Sequence, residues 1–169
     1  MRYAKINLFD IANGEGIRVS LFVSGCKFHC DGCFNPEAQQ YDYGNEFTNI
    51  EQSLILGRLV SNQDFAGLSI LGGDPLCQSE KDIQLLADLC DQIHNIGKNV
   101  WMWTGYTWEE ILQDDNLMNL VKRCDYVIDG RFEKDKKNLS LAWRGSSNQN
   151  IIDVKASLEG GKKCVIQKG

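Results

Sequence analysis

Apolar, β-branched runs alternate with amphipathic stretches along this chain, and the alternation predicts its elements. Ile17–Val23 (IRVSLFV) has the composition of a strand. Thr48 and Glu51 form the T-x-x-E pattern of a capping box, ahead of a helix through Leu54, Ile55, Leu59 and Val60. Residues 67–71 (GLSIL) predict the next strand, which ends in Gly72-Gly73-Asp74-Pro75. Ser79 can cap a helix that carries Ile83, Leu86, Leu89, Cys90 and Ile93 on one face, and Gly97 sits where that helix should stop. Asn99–Trp103 is a third strand, ending in Thr104-Gly105-Tyr106. Thr107 and Glu110 make a second capping box for a short helix, and a further helix covers residues 117–121. Residues 126–128 (YVI) are a fourth strand, ending in Asp129-Gly130.

Strands that alternate with helices imply βαβ units, right-handed crossovers and a parallel sheet. Each unusual sequence follows a strand: a cysteine-rich loop after Val23, then GGDP, TGY and DG. In parallel α/β folds the site lies at the carboxyl ends of the strands, so four peptides should converge on one face. A closed eight-unit barrel needs ~250 residues, more than the 169 of this chain. The expected fold is therefore α/β, an open partial (βα) barrel with a parallel sheet, in one domain spanning 1–158. Past Gly130 the pattern weakens. RFEKDKK (131–137) predicts a solvated turn, and WRGSSNQN (143–150) has little period of either kind. The last stretch, 159–169, carries Gly160, Gly161, Lys162, Lys163 and Lys168 and is expected to be a flexible tail.

Composition narrows the classes. The chain is 43% apolar and 24% charged with a net charge of −5, the balance of an ordinary globular protein. An acidic chain has no general attraction to nucleic acid. No stretch approaches the ~18 apolar residues of a membrane helix, and MRYAKINLFD has no apolar run of the signal-peptide kind. Seven cysteines, an odd number, point to reduced thiols and a cytoplasmic location rather than a disulfide framework.

Three of those cysteines carry the chemistry. Cys26, Cys30 and Cys33 lie in GCKFHCDGCF with spacing C-x3-C-x2-C. Soft thiolates this close in sequence select zinc or an iron–sulfur cluster. Clusters held only by protein usually take four cysteines, so three predict a cluster with one iron left open. The other reading is a structural zinc, with His29 or a distant cysteine as fourth ligand. GGDP can bring backbone close to a ligand because glycine has no side chain to block approach, and Asp74 adds negative charge nearby. It can also be a plain turn, with Pro75 opening a helix. Of the two histidines, His29 reads as a surface or supporting group and His94 as a favourable cation near a helix end. Cys77 follows GGDP closely enough to approach the site but reads first, like Cys90 and Cys124, as a buried small residue. Trp101, Trp103 and Trp108 read as core or interface aromatics.

These motifs resemble the radical S-adenosylmethionine (SAM) superfamily, whose mark is C-x3-C-x2-C followed by an aromatic, here Phe34. Within it the chain is most similar to the activating proteins of anaerobic (class III) ribonucleoside-triphosphate reductases. That similarity runs through NGEG (13–16), LFVSGC (21–26), CFN (33–35), GGDPL (72–76), WTGY (103–106), DGRF (129–132) and WRGSSNQ (143–149). The resemblance implies that Cys26, Cys30 and Cys33 hold a [4Fe–4S] cluster whose fourth iron takes SAM. Gly72, Gly73 and Asp74 would hold the SAM amino group, and Gly32, Cys33 and Phe34 would lie along the SAM. It further implies reductive cleavage of SAM by an electron from a flavodoxin-like donor, and a 5′-deoxyadenosyl radical that takes the Cα hydrogen of a glycine in the reductase. A membrane or a nucleic acid would have no part. Two rivals stay open at this point. One is an activase for another glycyl-radical enzyme. The other is an electron-transfer or zinc module with no SAM pocket.

Overall fold

The computed structural model describes residues 1–167. An eight-stranded sheet runs through it. Its strands are β1 (Arg2–Asp10), β2 (Ile17–Val23), β3 (Asn45–Glu46), β4 (Phe65–Gly72), β5 (Asn99–Trp103), β6 (Tyr126–Asp129), β7 (Asn150–Asp153) and β8 (Val165–Ile166). Their order across the sheet is β3-β1-β2-β4-β5-β6-β7-β8. The sheet is open, with β3 and β8 at its edges.

The middle four strands, β2, β4, β5 and β6, are parallel, as the alternating pattern requires. The expected wholly parallel sheet needs correction, because both flanks are antiparallel: β3 and β1 on one side, β7 and β8 on the other. For β1 the physical reason is connection length. A short loop, residues 11–16, joins β1 to β2, and so short a link permits only antiparallel pairing. β8 lies inside the stretch expected as a flexible tail. Val165 and Ile166 pair there with Ile152 and Ile151, while Lys168 lies outside the described residues.

Among the described residues five α-helices accompany the sheet: α1 (Asn49–Val60), α2 (Glu80–Asn95), α3 (Trp108–Ile111), α4 (Asp115–Val121) and α5 (Val154–Gly160). Their starts follow the sequence signals. Thr48 with Glu51, and Thr107 with Glu110, form complete capping boxes, and the Ser79 hydroxyl accepts from the Asp82 N–H. Gly97 takes φ +74° just past α2, a conformation that L-residues avoid.

Strand alternation then divides the sheet into two faces. Leu68, Ile70, Val100, Met102 and Val127 pack with Ile55, Leu59, Leu86, Leu89 and Leu120 of the helices into the main core. The opposite face carries Trp101 and Ile128, with Trp103, Tyr126 and Trp143 against them. Arg18 is buried on that second face. Its guanidinium donates to Ser69 Oγ at 2.7 Å, Leu68 O at 2.8 Å and Glu15 O at 3.1 Å. Ser69 Oγ in turn donates to Asn13 O at 2.5 Å. These bonds fasten NGEG beneath the sheet, and Asn13 becomes part of a cleft wall.

Candidate active site

The loops that leave β2, β4, β5 and β6 meet around one cleft of about 590 Å³. Cys26, Cys30, Cys33 and Phe34 come from the first loop and Gly72, Gly73 and Asp74 from the second. Thr104 and Gly105 come from the third, and Gly130 and Phe132 from the fourth. Of the residues expected around a ligand, Gly32 alone is off the wall. It takes φ +72°, and a Cβ there would face Phe132 and Lys134 at 3.5 and 3.6 Å. Phe34 stands at the rim, 56% exposed, edge-on to Phe132 with centroids 5.1 Å apart.

The cysteine loop is held at both of its roots by backbone. Gly25 N–H donates to Ala38 O at 2.8 Å and Cys26 N–H to Gln39 O at 3.0 Å. Gly25 has φ +104°, and a Cβ there would collide with the Tyr41 ring at 2.4 Å. The loop turns at Cys30, whose carbonyl accepts from Cys33 N–H at 3.2 Å, and the Asn35 N–H points at Cys33 Sγ at 3.4 Å. All three loop cysteines are free and half-buried. Contact with the Cys77 thiol, helped by the N–H groups of Phe28 and His29, brings the Cys26 thiol down to about 6 against the effect of burial. Burial pushes Cys30 up. His29 is exposed and pairs with Gln39 Oε1 at 3.0 Å.

The donor set bears on the two metal readings. Around one tetrahedral ion with metal–sulfur bonds of ~2.3 Å, the sulfurs lie about 3.8 Å apart. Among the described residues, the group whose ligand atoms all fall within 4.8 Å is Cys26, Asp74 and Cys77, without Cys30 or Cys33. Cys26, Cys30 and Cys33 line one cleft, and three soft thiolates with an open side suit a cluster that keeps one iron for a ligand. The donor set therefore fits an iron–sulfur cluster.

GGDP turns out to be fastened directly to the cysteine loop. Gly73 N–H donates to Val23 O at 2.7 Å and Asp74 N–H to Gly25 O at 2.8 Å. A Cβ on Gly72 would meet Val23 O at 2.6 Å, and one on Gly73 would meet Gly25 O at 2.5 Å and Ala38 O at 2.6 Å. The glycines thus serve close approach between two loops, beyond the ligand's approach and the plain turn that the sequence suggests. Gln78 adds a clamp. Its Nε2 donates to Ser24 O at 3.1 Å, Gly25 O at 3.3 Å and Asp74 O at 3.0 Å. Asp74 is 1% exposed. Its carboxylate accepts from Leu76 N–H at 2.8 Å, Gly105 N–H at 2.7 Å and the Thr104 hydroxyl at 3.0 Å. Burial pushes it up to about 7 against the pull of those donors. Each carboxylate oxygen takes two of these contacts, which fixes the orientation of Asp74 at the cleft wall.

Comparison with known proteins decides the family. A family model described as a 4Fe-4S single cluster domain matches residues 12–152. The anaerobic ribonucleoside-triphosphate reductase-activating protein of Pasteurella multocida (strain Pm70) is 38% identical over 154 residues, covering 89% of this chain and 96% of the relative. The protein of that name from Escherichia coli (strain K12) is 37% identical over 157 residues, covering 89% and 97%. That of Enterobacteria phage T4 is 37% identical over 152 residues, covering 89% and 93%. The chain belongs to the family of anaerobic ribonucleoside-triphosphate reductase-activating proteins. It carries a 4Fe–4S domain of the single-cluster kind.

In this member of the family the WRGSSNQ segment does more for the fold than its polarity suggested. Gln149 Oε1 accepts from Gly145 N–H at 2.8 Å, and its Nε2 donates to Gly130 O at 2.9 Å. Ser146 is fully buried and its hydroxyl accepts from Glu133 N–H at 3.2 Å. Asn148 donates to Arg131 O at 2.8 Å. Ser146, Asn148 and Gln149 thus spend these groups on the chain itself and staple the segment to DGRF and the residue after it. Arg144 and Gly145 do reach the cleft wall. The segment's entry is bent by Trp143, whose φ is +57° and whose carbonyl accepts from Trp103 Nε1 at 2.8 Å. Asp129 holds DG itself in place by accepting from Trp108 N–H at 2.9 Å and Lys163 Nζ at 2.7 Å. The wall residues that sequence reading missed are Ala12, Phe28, Phe132 and Leu139. Phe132 had a signal, as the last letter of DGRF. Leu139, at 81% exposure, had none.

Proposed function

We propose that this protein activates an anaerobic ribonucleoside-triphosphate reductase by generating a glycyl radical on it, with a [4Fe–4S] cluster and SAM. The observation that carries the reading is that Cys26, Cys30 and Cys33 line the same cleft as Gly72, Gly73 and Asp74. On this reading the three thiolates hold three irons and SAM completes the fourth. When bound, the cluster supplies the electron that cleaves SAM to methionine and a 5′-deoxyadenosyl radical, which takes the Cα hydrogen of a glycine in the reductase.

The chain's own residues do the rest. Gln78 and the Gly73 and Asp74 N–H groups keep the cysteine loop and GGDP in register. Gly72 and Gly73 leave backbone at the wall for the SAM amino group, and Phe34 flanks its adenine. Phe34, Phe132 and Trp143 give the wall an aromatic character, and on this reading the docked peptide completes the site's closure against water. The open sheet, read as a partial (βα) barrel of the radical SAM type, leaves room for a peptide to enter. The activase domain would span 1–158. A flavodoxin-like protein is the proposed electron donor and the cytoplasm the proposed location. No helix among the described residues is long and apolar enough to cross a membrane.

A mononuclear-metal reading draws on the Cys26–Asp74–Cys77 group. Asp74, however, already accepts from Leu76, Thr104 and Gly105, which leaves two thiols for an ion. The test is iron and sulfide analysis of anaerobically purified protein, then electron paramagnetic resonance of the reduced protein with and without SAM. The expected result is four irons and four sulfides per chain, a spectrum altered by SAM, and a glycyl-radical signal once reductase is added. Zinc in place of iron, or a cluster spectrum indifferent to SAM, overturns the proposal.

A further inference from the structure

Cys77 is a thiol for which the proposed cluster has no use, yet it stands beside one that the cluster needs. The sulfurs of Cys26 and Cys77 lie within 4.8 Å of each other. Their neighbourhood is rigid. Asp74 N–H donates to Gly25 O at 2.8 Å and Cys77 N–H to Asp74 O at 3.1 Å. The Gln78 amide bridges Ser24, Gly25 and Asp74, and the Tyr41 hydroxyl donates to Cys77 O at 3.0 Å. None of these bonds involves Cys30, Cys33 or a metal, so the pair stays together whatever the rest of the loop holds. Both thiols are half-buried, open to a small reagent. A disulfide needs its sulfurs at ~2.05 Å with Cβ atoms ~3.8 Å apart, and side-chain rotation can draw together sulfurs that start this close.

We propose that Cys26 and Cys77 are a reversible modification site: they form a disulfide when the chain carries no cluster, and so keep Cys26 from irreversible oxidation. This rests on the reading of Cys26 as a cluster ligand. The oxidant is a low-molecular-weight disulfide. The Cys26 thiolate attacks one of its sulfurs, the S–S bond breaks, and one small thiol leaves with a proton from solvent. The Cys77 thiolate then attacks Cys26 Sγ in the mixed disulfide, and the second small thiol leaves. Two protein thiols have lost two electrons and two protons, and the small disulfide has gained them. A lone thiolate in the same place would advance under peroxide to sulfinic acid, which a dithiol does not reverse. The competing pair is Cys30 with Cys33, two residues apart in the same loop.

The experiment uses full-length, cluster-free, reduced protein. It is incubated with oxidised glutathione, alkylated, digested and mapped by mass spectrometry. The expected product is a Cys26–Cys77 linked peptide, and dithiothreitol followed by iron and sulfide then restores the cluster absorbance of never-oxidised protein. Cys77→Ser should carry glutathione on Cys26 and, after a peroxide challenge, regain several-fold less cluster than the parent. Linkage of Cys30 to Cys33 instead, no linkage at all, or equal recovery by the variant overturns the proposal. The linkage is measured on the unaltered chain, so it does not depend on the variant folding. If never-oxidised protein takes up no cluster, the functional reading fails, and the peptide map still decides whether the pair forms.

Discussion

The Thr104 hydroxyl lies 3.0 Å from both carboxylate oxygens of Asp74, and this pair joins the ends of β4 and β5 under the cleft. The Gly105 N–H adds a third bond across the same seam at 2.7 Å. GGDP thus joins two loops at the same time as it lines the cleft. Removing a buried acceptor strands its donors, which costs more than the bond itself contributed.

Asp74→Ala should therefore destabilise the fold by roughly 2–4 kcal/mol, since it leaves the Thr104 hydroxyl and the Leu76 and Gly105 N–H groups unpaired. Asp74→Asn keeps one acceptor oxygen and should lose less. Chemical denaturation of the cluster-free chain checks both. Equal stability of Asp74→Ala and the parent would mean that water replaces the carboxylate without penalty.

The loop cysteines should be jointly necessary for the cluster and the distant ones dispensable. Cys26→Ala, Cys30→Ala and Cys33→Ala are each expected to lose the cluster. Cys90→Ser and Cys124→Ser alter the buried core, so they should lower stability by about 1–3 kcal/mol and keep a reconstitutable cluster. Cys164→Ser should do neither. Iron content after reconstitution reads the outcome, and a cluster that survives Cys30→Ala sinks the assignment.

Gly73→Ala is expected to impair the cysteine loop and the ligand together. Its Cβ would sit 2.5 Å from Gly25 O, next to Cys26, so that loop has to move. Iron uptake and SAM affinity should fall in parallel. Gly97→Ala is the control. Its Cβ meets nothing within 4 Å, and its left-handed backbone costs about 1–2 kcal/mol with no effect on iron. Normal iron content with weakened SAM binding in Gly73→Ala would return the glycine to a ligand role alone.

That last contrast marks how far sequence reading reached. The central strands, both capping boxes and the convergence of four loops follow from periodicity and local chemistry, so Asn99–Trp103 and Thr48 were legible. β1 was not. Its RYAKINLFD mixes Lys5 and Asn7 into a strand that is mostly half-buried, and no clean alternation survives. β7 escaped because Asn150–Asp153 is four residues long with only Ile151 and Ile152 buried. The cluster loop was legible because thiolate spacing is local. Which loop Gly73, Gln78 or Gln149 touches is a long-range fact, and no local pattern encodes it.

Arg144 and Gln149 should separate cleanly, although they are five residues apart at most in one polar segment. Gln149 bonds Gly145, Ser146 and Gly130 through both ends of its amide, so its loss loosens the staple between the segment and DGRF. Gln149→Ala should lower thermal stability, by roughly 1–3 kcal/mol for the stranded groups. Arg144 lines the cleft, and its Nε donates to Ala142 O at 3.4 Å; a guanidinium bonds carboxylates and carbonyls through several donors at once. Arg144→Ala should therefore lower glycyl-radical yield while thermal stability and cluster content hold. Measuring SAM affinity and reductase affinity on that variant assigns the role. Loss of the first alone gives Arg144 to the cofactor's carboxylate, and loss of the second alone gives it to docking. Should radical yield and both affinities match the parent, Arg144 belongs to the surface and the segment's only task is the one Gln149 performs.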